Sequence, residues 1–234
     1  MLHKYFYMKK NFLLLFCFIS GFVFSQEYHF DYLIKEKSMR IKPQKEEWFN
    51  DWFANSVTGH EIFLRNYNNK TIAVIYLRNE NLKHVFKVNK FKDNINFFYK
   101  HSGKIVNDFQ QKNAYKREEV IQIRKIDSLK YNVIVFKNSK LKKKEIDAMV
   151  NFEKADFEHI NFKVDHVIAD SVESELRKLL DPKFKFIIKK MDYRYNSGVT
   201  FTKSIDNIQK INLVLKVPDN IILKQTDYWS DFEE

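Results

Sequence analysis

The chain of 234 residues is short of the residues that punctuate and staple a fold: four glycines, three prolines and one cysteine. Four glycines could scarcely build a phosphate-cradling loop, and no Gly-x-Ser-x-Gly elbow occurs, so nucleotide-binding and esterase signatures are both missing. The lone Cys17 sits inside an apolar run with Phe16 before it, which is not the setting of a lipidated cysteine. From Gln26 onward there is no cysteine, hence no disulfide, thiol nucleophile or thiolate metal ligand. Arginine is scarce as well, 7 residues against 34 lysines. Since arginine is the usual reader of base edges, a net charge of +11 does not point to nucleic acid. Few Gly, Pro and Ala beside many Lys, Phe and Tyr is the composition of a low-G+C bacterial genome, and part of the basic charge follows from it.

What is present begins with an address. Two lysines, Lys9 and Lys10, precede an apolar run of 13 residues from Phe12 to Phe24, and Val23 and Ser25 stand three and one places before Gln26. Basic, apolar and small residues in that order form a secretory signal peptide. The run is shorter than the roughly 20 residues of a membrane-spanning helix. The expectation is a signal over residues 1–25, with Met8 as the true start, and a single β-rich domain over 26–234. The mature chain then carries +8, has no transmembrane segment, and is periplasmic or extracellular. Lysines alternate with acids along most segments, so the basic surface reads as a solvated one.

Period-two alternation dominates the rest, which is the pattern of strands with one buried face. Tyr28, Phe30, Tyr32 and Ile34 share one face of a first strand. Further strands are expected at His60 to Arg65, Ile72 to Leu77, Leu82 to Val88, Ile95 to Tyr99, Val120 to Ile126 and Tyr131 to Lys137. Later ones are Ile160 to Val164, Phe184 to Lys190, Val199 to Lys203 and Ile211 to Val217. Asn66-Tyr67-Asn68-Asn69 and Asn196-Ser197-Gly198 supply turn chemistry. The fold class is therefore mainly β (α+β), a curved antiparallel sheet of about ten strands with one to three covering helices. One helix is signalled by the capping pattern Asp170-Ser171-Val172-Glu173 and stopped at Asp181-Pro182. Two more are candidates, at Lys45 to Ala54 and at Lys142 to Val150. Lys104 to Arg117 reads as a polar connection, and Asp227 to Glu234 as an end that frays or closes the last strand.

No catalytic, cofactor or metal site is expected. His60-Glu61 lacks the second histidine of a zinc-protease motif, because position 64 is leucine. The run of Asp156, Glu158, His159, Asp165, His166 and Asp170 has no zinc-ligand spacing and reads as solvated faces of a strand. A hydrolytic site assembled from remote residues would draw on His60, His159 or His166. The most suggestive block is Trp48-Phe49-x-x-Trp52-Phe53. On a helix these four rings would share one side. They would either close the core against the sheet or form a lid over an apolar cavity for an acyl chain.

A signal peptide leading into an aromatic strand, Tyr28-His29-Phe30-Asp31-Tyr32, followed by a series of strands, resembles small exported bacterial proteins related to the GLPGLI type. The Gly-Leu-Pro-Gly-Leu-Ile motif itself is absent; the nearest place is Leu179-Leu180-Asp181-Pro182. The same outline is similar to LolA-like periplasmic carriers, which implies a curved sheet, covering helices and an apolar cargo. Two readings follow. One is an exported non-enzymatic protein that binds or carries a hydrophobic envelope component, with Trp48, Phe49, Trp52 and Phe53 at the ligand. The other is an envelope protein-interaction module with a solid core, using its basic surface or a strand edge.

Overall fold

The computed structural model describes residues 26–91, 94–105, 118–162, 164, 166–225 and 230–232. Residues 1–25, where a signal is expected, and most of the polar connection before residue 118 lie outside them. Twelve strands form one sheet: β1 (Gln26–Lys42), β2 (Glu46–Ala54), β3 (Glu61–Tyr67), β4 (Lys70–Leu77), β5 (Leu82–Phe91), β6 (Asn94–Lys104), β7 (Val120–Asp127), β8 (Lys130–Phe136), β9 (Lys144–Ala155), β10 (Lys185–Tyr195), β11 (Thr200–Val217) and β12 (Leu223–Lys224). Among the described residues one α-helix, α1 (His166–Leu179), stands between β9 and β10. The strand order is β12-β6-β5-β4-β3-β2-β1-β11-β10-β9-β8-β7. Two antiparallel meanders, β1 to β6 and β7 to β11, are thus joined by the pairing of β1 with β11. The two-residue β12 alone pairs in parallel, with Ser102 and Gly103 of β6.

Local chemistry explains the meanders. Asn68 and Asn69 both adopt the left-handed conformation, with φ of 46° and 61°, between paired Tyr67 and Lys70. That is the geometry a two-residue hairpin loop requires, and asparagine tolerates it better than most residues. β1 and β11, of 17 and 18 residues, form the spine. Their register shifts at Phe30/Tyr32, Lys35/Glu36 and Arg40/Lys42. Such bulges bend and twist a strand pair, which lets so long a pair curl instead of lying flat. Accordingly Tyr28 and Phe30 join one core while Tyr32 and Ile34, a few residues on, join another.

Three apolar cores result. In the first, Ile168, Val172, Leu176 and Leu180 of the helical segment, four apart, pack on Tyr131, Val133, Val150 and Met191 of β8 to β10. In the second, Tyr28, Phe30 and Leu215 pack with Phe53, Ile62, Leu64, Ile75 and Phe86. The third, between them, holds Tyr32, Ile34, Trp52, Phe157, Ile187 and Ile205. A small fourth group sets Phe232 against Ile72, Val74 and Val85.

Several expectations need correction. The sheet has twelve strands, not about ten. Lys45 to Ala54 is strand β2, not a helix: a spacing of four suits a strand as well as a helix, because four is twice the strand period. Lys142 to Val150 lies largely in β9, whose inward residues Ile146, Ala148, Val150 and Phe152 alternate strictly. Val199 to Lys203 and Ile211 to Val217 fall in one continuous strand, since β1 supplies partners for Ser204, Asn207, Gln209 and Lys210 between them. Ile160 to Val164 forms no strand. His159 makes a single parallel bridge to Ile187, and Ile160 and Phe162 sink into the first core. Asp170 does not cap the helix, which begins at His166; Glu173 instead accepts a hydrogen bond from the Phe162 amide at 2.8 Å.

Candidate functional site

Two cross-strand ladders organise the β1 to β6 half. Leu33, Phe53, Ile62, Ile75, His84 and Ser102 are successive partners on one face. Ile34, Trp52, Phe63, Val74, Val85 and His101 are successive partners on the other. Adjacent residues of a strand point to opposite faces, so the aromatic block is divided. Trp52 is buried in the central core, stacked on Phe63 with ring centroids 4.5 Å apart. Phe53 is buried in the second core, edge-on to Phe97 at 5.5 Å. Trp48 and Phe49 are at the surface, 37% and 61% exposed. Trp48 meets Phe201 edge-on at 6.2 Å, and the Lys37 ammonium lies 5.8 Å from the Phe49 ring. The four rings therefore do not converge on one site.

The polar interior of this half was not anticipated. On the first ladder His84 is fully buried and bridges three elements. Its Nε2 lies 3.0 Å from the Tyr28 hydroxyl and its Nδ1 2.7 Å from Ser102 Oγ, which in turn is 2.8 Å from the Tyr99 hydroxyl. Desolvation pushes the imidazole pKa down to about 4 and raises that of the Tyr28 phenol. A serine hydrogen-bonded to a neutral histidine has the contacts of a nucleophile and its base. Here, however, both groups are fully buried, so the chain of hydroxyls and imidazole joins strands and presents no reacting atom to a substrate.

On the opposite ladder His101 belongs to a buried ionic group. The Asp231 carboxylate receives Lys83 Nζ at 2.8 and 2.6 Å and Arg65 Nη1 at 3.0 Å, with His101 Nε2 3.2 Å away. The sequence pattern concealed it, because the lysines and arginines of the strands read as a solvated surface and Asp231 as part of an end that frays or closes the last strand. A second buried pair, Glu36 and Lys203 at 2.9 Å, sits on the central strands, where Lys203 also donates to the Asn161 carbonyl at 3.2 Å.

The histidines named as hydrolase candidates are dispersed. His60 lies edge-on to Tyr28 at 5.7 Å. His159 is buried, its Nδ1 2.7 Å from Glu61 Oε1 and its ring 5.9 Å from that of Trp52. The His166 side chain is outside the described residues. Among the described residues no group of three His, Cys, Asp or Glu side chains could hold a metal ion, and no helix is long and apolar enough to cross a membrane.

The remaining features are a recess and the sheet edges. A recess of about 240 Å³ near the β9–β10 end is lined by Lys144, Ile146, Asp147, Arg194, Tyr195 and Gly198. It is smaller and more charged than a typical site for an apolar ligand, roughly 300–1,000 Å³ and mostly hydrophobic. The two outer strands differ in chemistry. β7 carries Arg124, Lys125 and Asp127, charges of the kind that discourage edge pairing. β6 carries no charge from Asn94 to Tyr99, and β12 covers only Ser102 and Gly103. Along that stretch Phe98 is 53% exposed, while Ile95, Phe97 and Tyr99 are half-buried against the second core.

Searches against protein-family models and among curated proteins returned no match to this chain.

Proposed function

We propose that the protein is an exported, non-enzymatic interaction module that takes up a strand from a protein partner along the outer edge of β6. The observation that carries this reading is the uncharged stretch Asn94 to Tyr99, which has β5 on one side and no partner strand on the other among the described residues. Partners that add a strand gain affinity from main-chain hydrogen bonds and specificity from alternate side chains. On β6 those side chains are Ile95, Phe97 and Tyr99 toward one face and Asn96 and Phe98 toward the other. Export rests on the Met8 to Gln26 pattern, and a partner in the bacterial envelope follows from it.

The burial of Trp52 and Phe53, half of the proposed lid, in separate interiors favours this reading over carriage of an acyl chain. The test places a photo-crosslinking residue at Phe98 and, as a control, at Gln122 on β7, in cells of the native source. The expected result is one specific adduct from position 98 that disappears on Asn96→Lys, and none from position 122. Equal adducts from both edges, or none, would refute edge docking. A stoichiometric lipid extracted from protein purified without detergent would support the carrier reading instead.

A further inference from the structure

We propose that the β3 to β6 face carries a recognition site for an acidic–aromatic peptide segment, filled here by the chain's own Ser230–Phe232 turn and able to accept the same segment from a second copy. The site does not use the Asn94 to Tyr99 stretch of β6. Its parts come from four neighbouring strands: Arg65 and Tyr67 from β3, Ile72 and Val74 from β4, Lys83 and Val85 from β5, Lys100 and His101 from β6. All are more than 120 residues from the turn they hold. The receptor is thus built by the first meander alone, and the turn enters it as a ligand would.

The chemistry reads two adjacent residues. The first is a carboxylate: both oxygens of Asp231 contact Lys83 Nζ, while Oδ2 adds Arg65 and Oδ1 faces His101. The Asp231 carbonyl accepts from Lys100 Nζ at 2.9 Å, which fixes the backbone and so the direction of the segment. The second is an aromatic ring: Phe232 lies with the Arg65 guanidinium 4.9 Å from its centroid, the Tyr67 ring at 5.5 Å, and Ile72, Val74 and Val85 beneath. Arginine suits both tasks, because its flat cation pairs with a carboxylate and packs on a ring.

Electrostatics make the site demanding when vacated. Arg65 and Lys83 are buried, and removing one partner of a buried ionic group leaves uncompensated charge. Such a site retains or recaptures a segment of matching chemistry. The acidic–aromatic segment whose fit the geometry displays is this chain's own, so a second copy is the occupant argued here. A tethered ligand enjoys an effective concentration of about millimolar, so the wild-type chain keeps its own turn at micromolar protein. Exchange emerges when the internal contact is disabled.

The test uses two full-length variants. Asp231→Asn keeps the site and spoils the ligand; Arg65→Met with Lys83→Met keeps the ligand and spoils the site. Mixed in sedimentation velocity, they are expected to associate at least about tenfold more tightly than either associates with itself. A synthetic peptide of residues 227–234 should compete, and its Asp231→Asn version should not. A mixture of two folded variants that stays monomeric overturns the proposal. Hydrogen exchange on the wild-type chain guards against variants that fail to fold: the amides of 230–232 should open while those of β4 stay protected. Exchange at 230–232 only through global unfolding shows a core element rather than a bound ligand, and also overturns it.

Discussion

Acidification through the window from pH 6.5 down to about 4 should strip stability from this fold through one residue, His84. The imidazole is fully buried, with the hydroxyls of Tyr28 and Ser102 opposite its two nitrogens. A neutral ring needs one donor and one acceptor opposite its nitrogens, and hydroxyls supply either. An imidazolium would need both hydroxyls as acceptors and receives no carboxylate contact from them. Burial accordingly lowers the pKa from 6.5 to about 4. Between those values the unfolded chain binds a proton that the native chain does not, so stability rises with pH. The contribution is fully present above pH 6.5, falls by about 1.4 kcal/mol per pH unit below it, and levels off near pH 4 after a total loss of about 3 kcal/mol.

The assay is urea unfolding of the wild-type chain and of His84→Gln, which keeps a two-headed polar group that does not titrate. Midpoints at equal slope give the stability difference at each pH. The variant should start lower at neutral pH, by about 1–2 kcal/mol, because glutamine fits the two hydroxyls less well. The difference should shrink as the pH falls and vanish or reverse near pH 4. Other titrating groups are common to both proteins and cancel in the comparison. Parallel pH profiles for the two chains would refute the assignment of the acid sensitivity to His84.

Truncation should separate the rings of the aromatic block by burial: Trp52→Ala should cost about 3–5 kcal/mol and Phe49→Ala within about 0.5 kcal/mol in the same urea assay. Lys203→Met alone should destabilise by about 3–5 kcal/mol by stranding the Glu36 carboxylate, and adding Glu36→Leu should recover most of that loss, as a double-mutant cycle by thermal unfolding would register. Tyr28→Phe should cost about 1 kcal/mol, and a histidine titration followed by NMR should show its His84 still neutral at pH 6.5, because burial rather than the phenol sets its pKa.

Much of the sheet was legible as alternation. The strands around Ile72 to Leu77, Leu82 to Val88 and Tyr131 to Lys137 lie where the pattern puts them, and the Asn-rich turn before Lys70 is a hairpin. Errors arose where two periods fit the same residues. Trp48, Phe49, Trp52 and Phe53 satisfy a helix and a strand equally, and only the partners Ser38, Lys37, Ile34 and Leu33 on β1 decide between them. Pairing with a strand that is adjacent in space supplies hydrogen bonds that an isolated window of sequence cannot express. The gap left between two expected strands closes for the same reason, because Asn207, Gln209 and Lys210 pair with Lys35, Leu33 and Tyr32 of β1.

Period, turn residues and composition act over a few neighbours, and they carry the mainly β class, the helix that precedes Asp181-Pro182, the faces of most strands and the lack of cysteine from Gln26 onward. The tertiary structure decided what neighbours in sequence cannot: that β1 pairs with β11, that the aromatic block is split between two interiors and the surface, and that Arg65, Lys83 and His101 meet Asp231. A lysine or arginine on a strand looks the same whether it ends in water or on a carboxylate, and its surroundings are set by chain segments more than a hundred residues away.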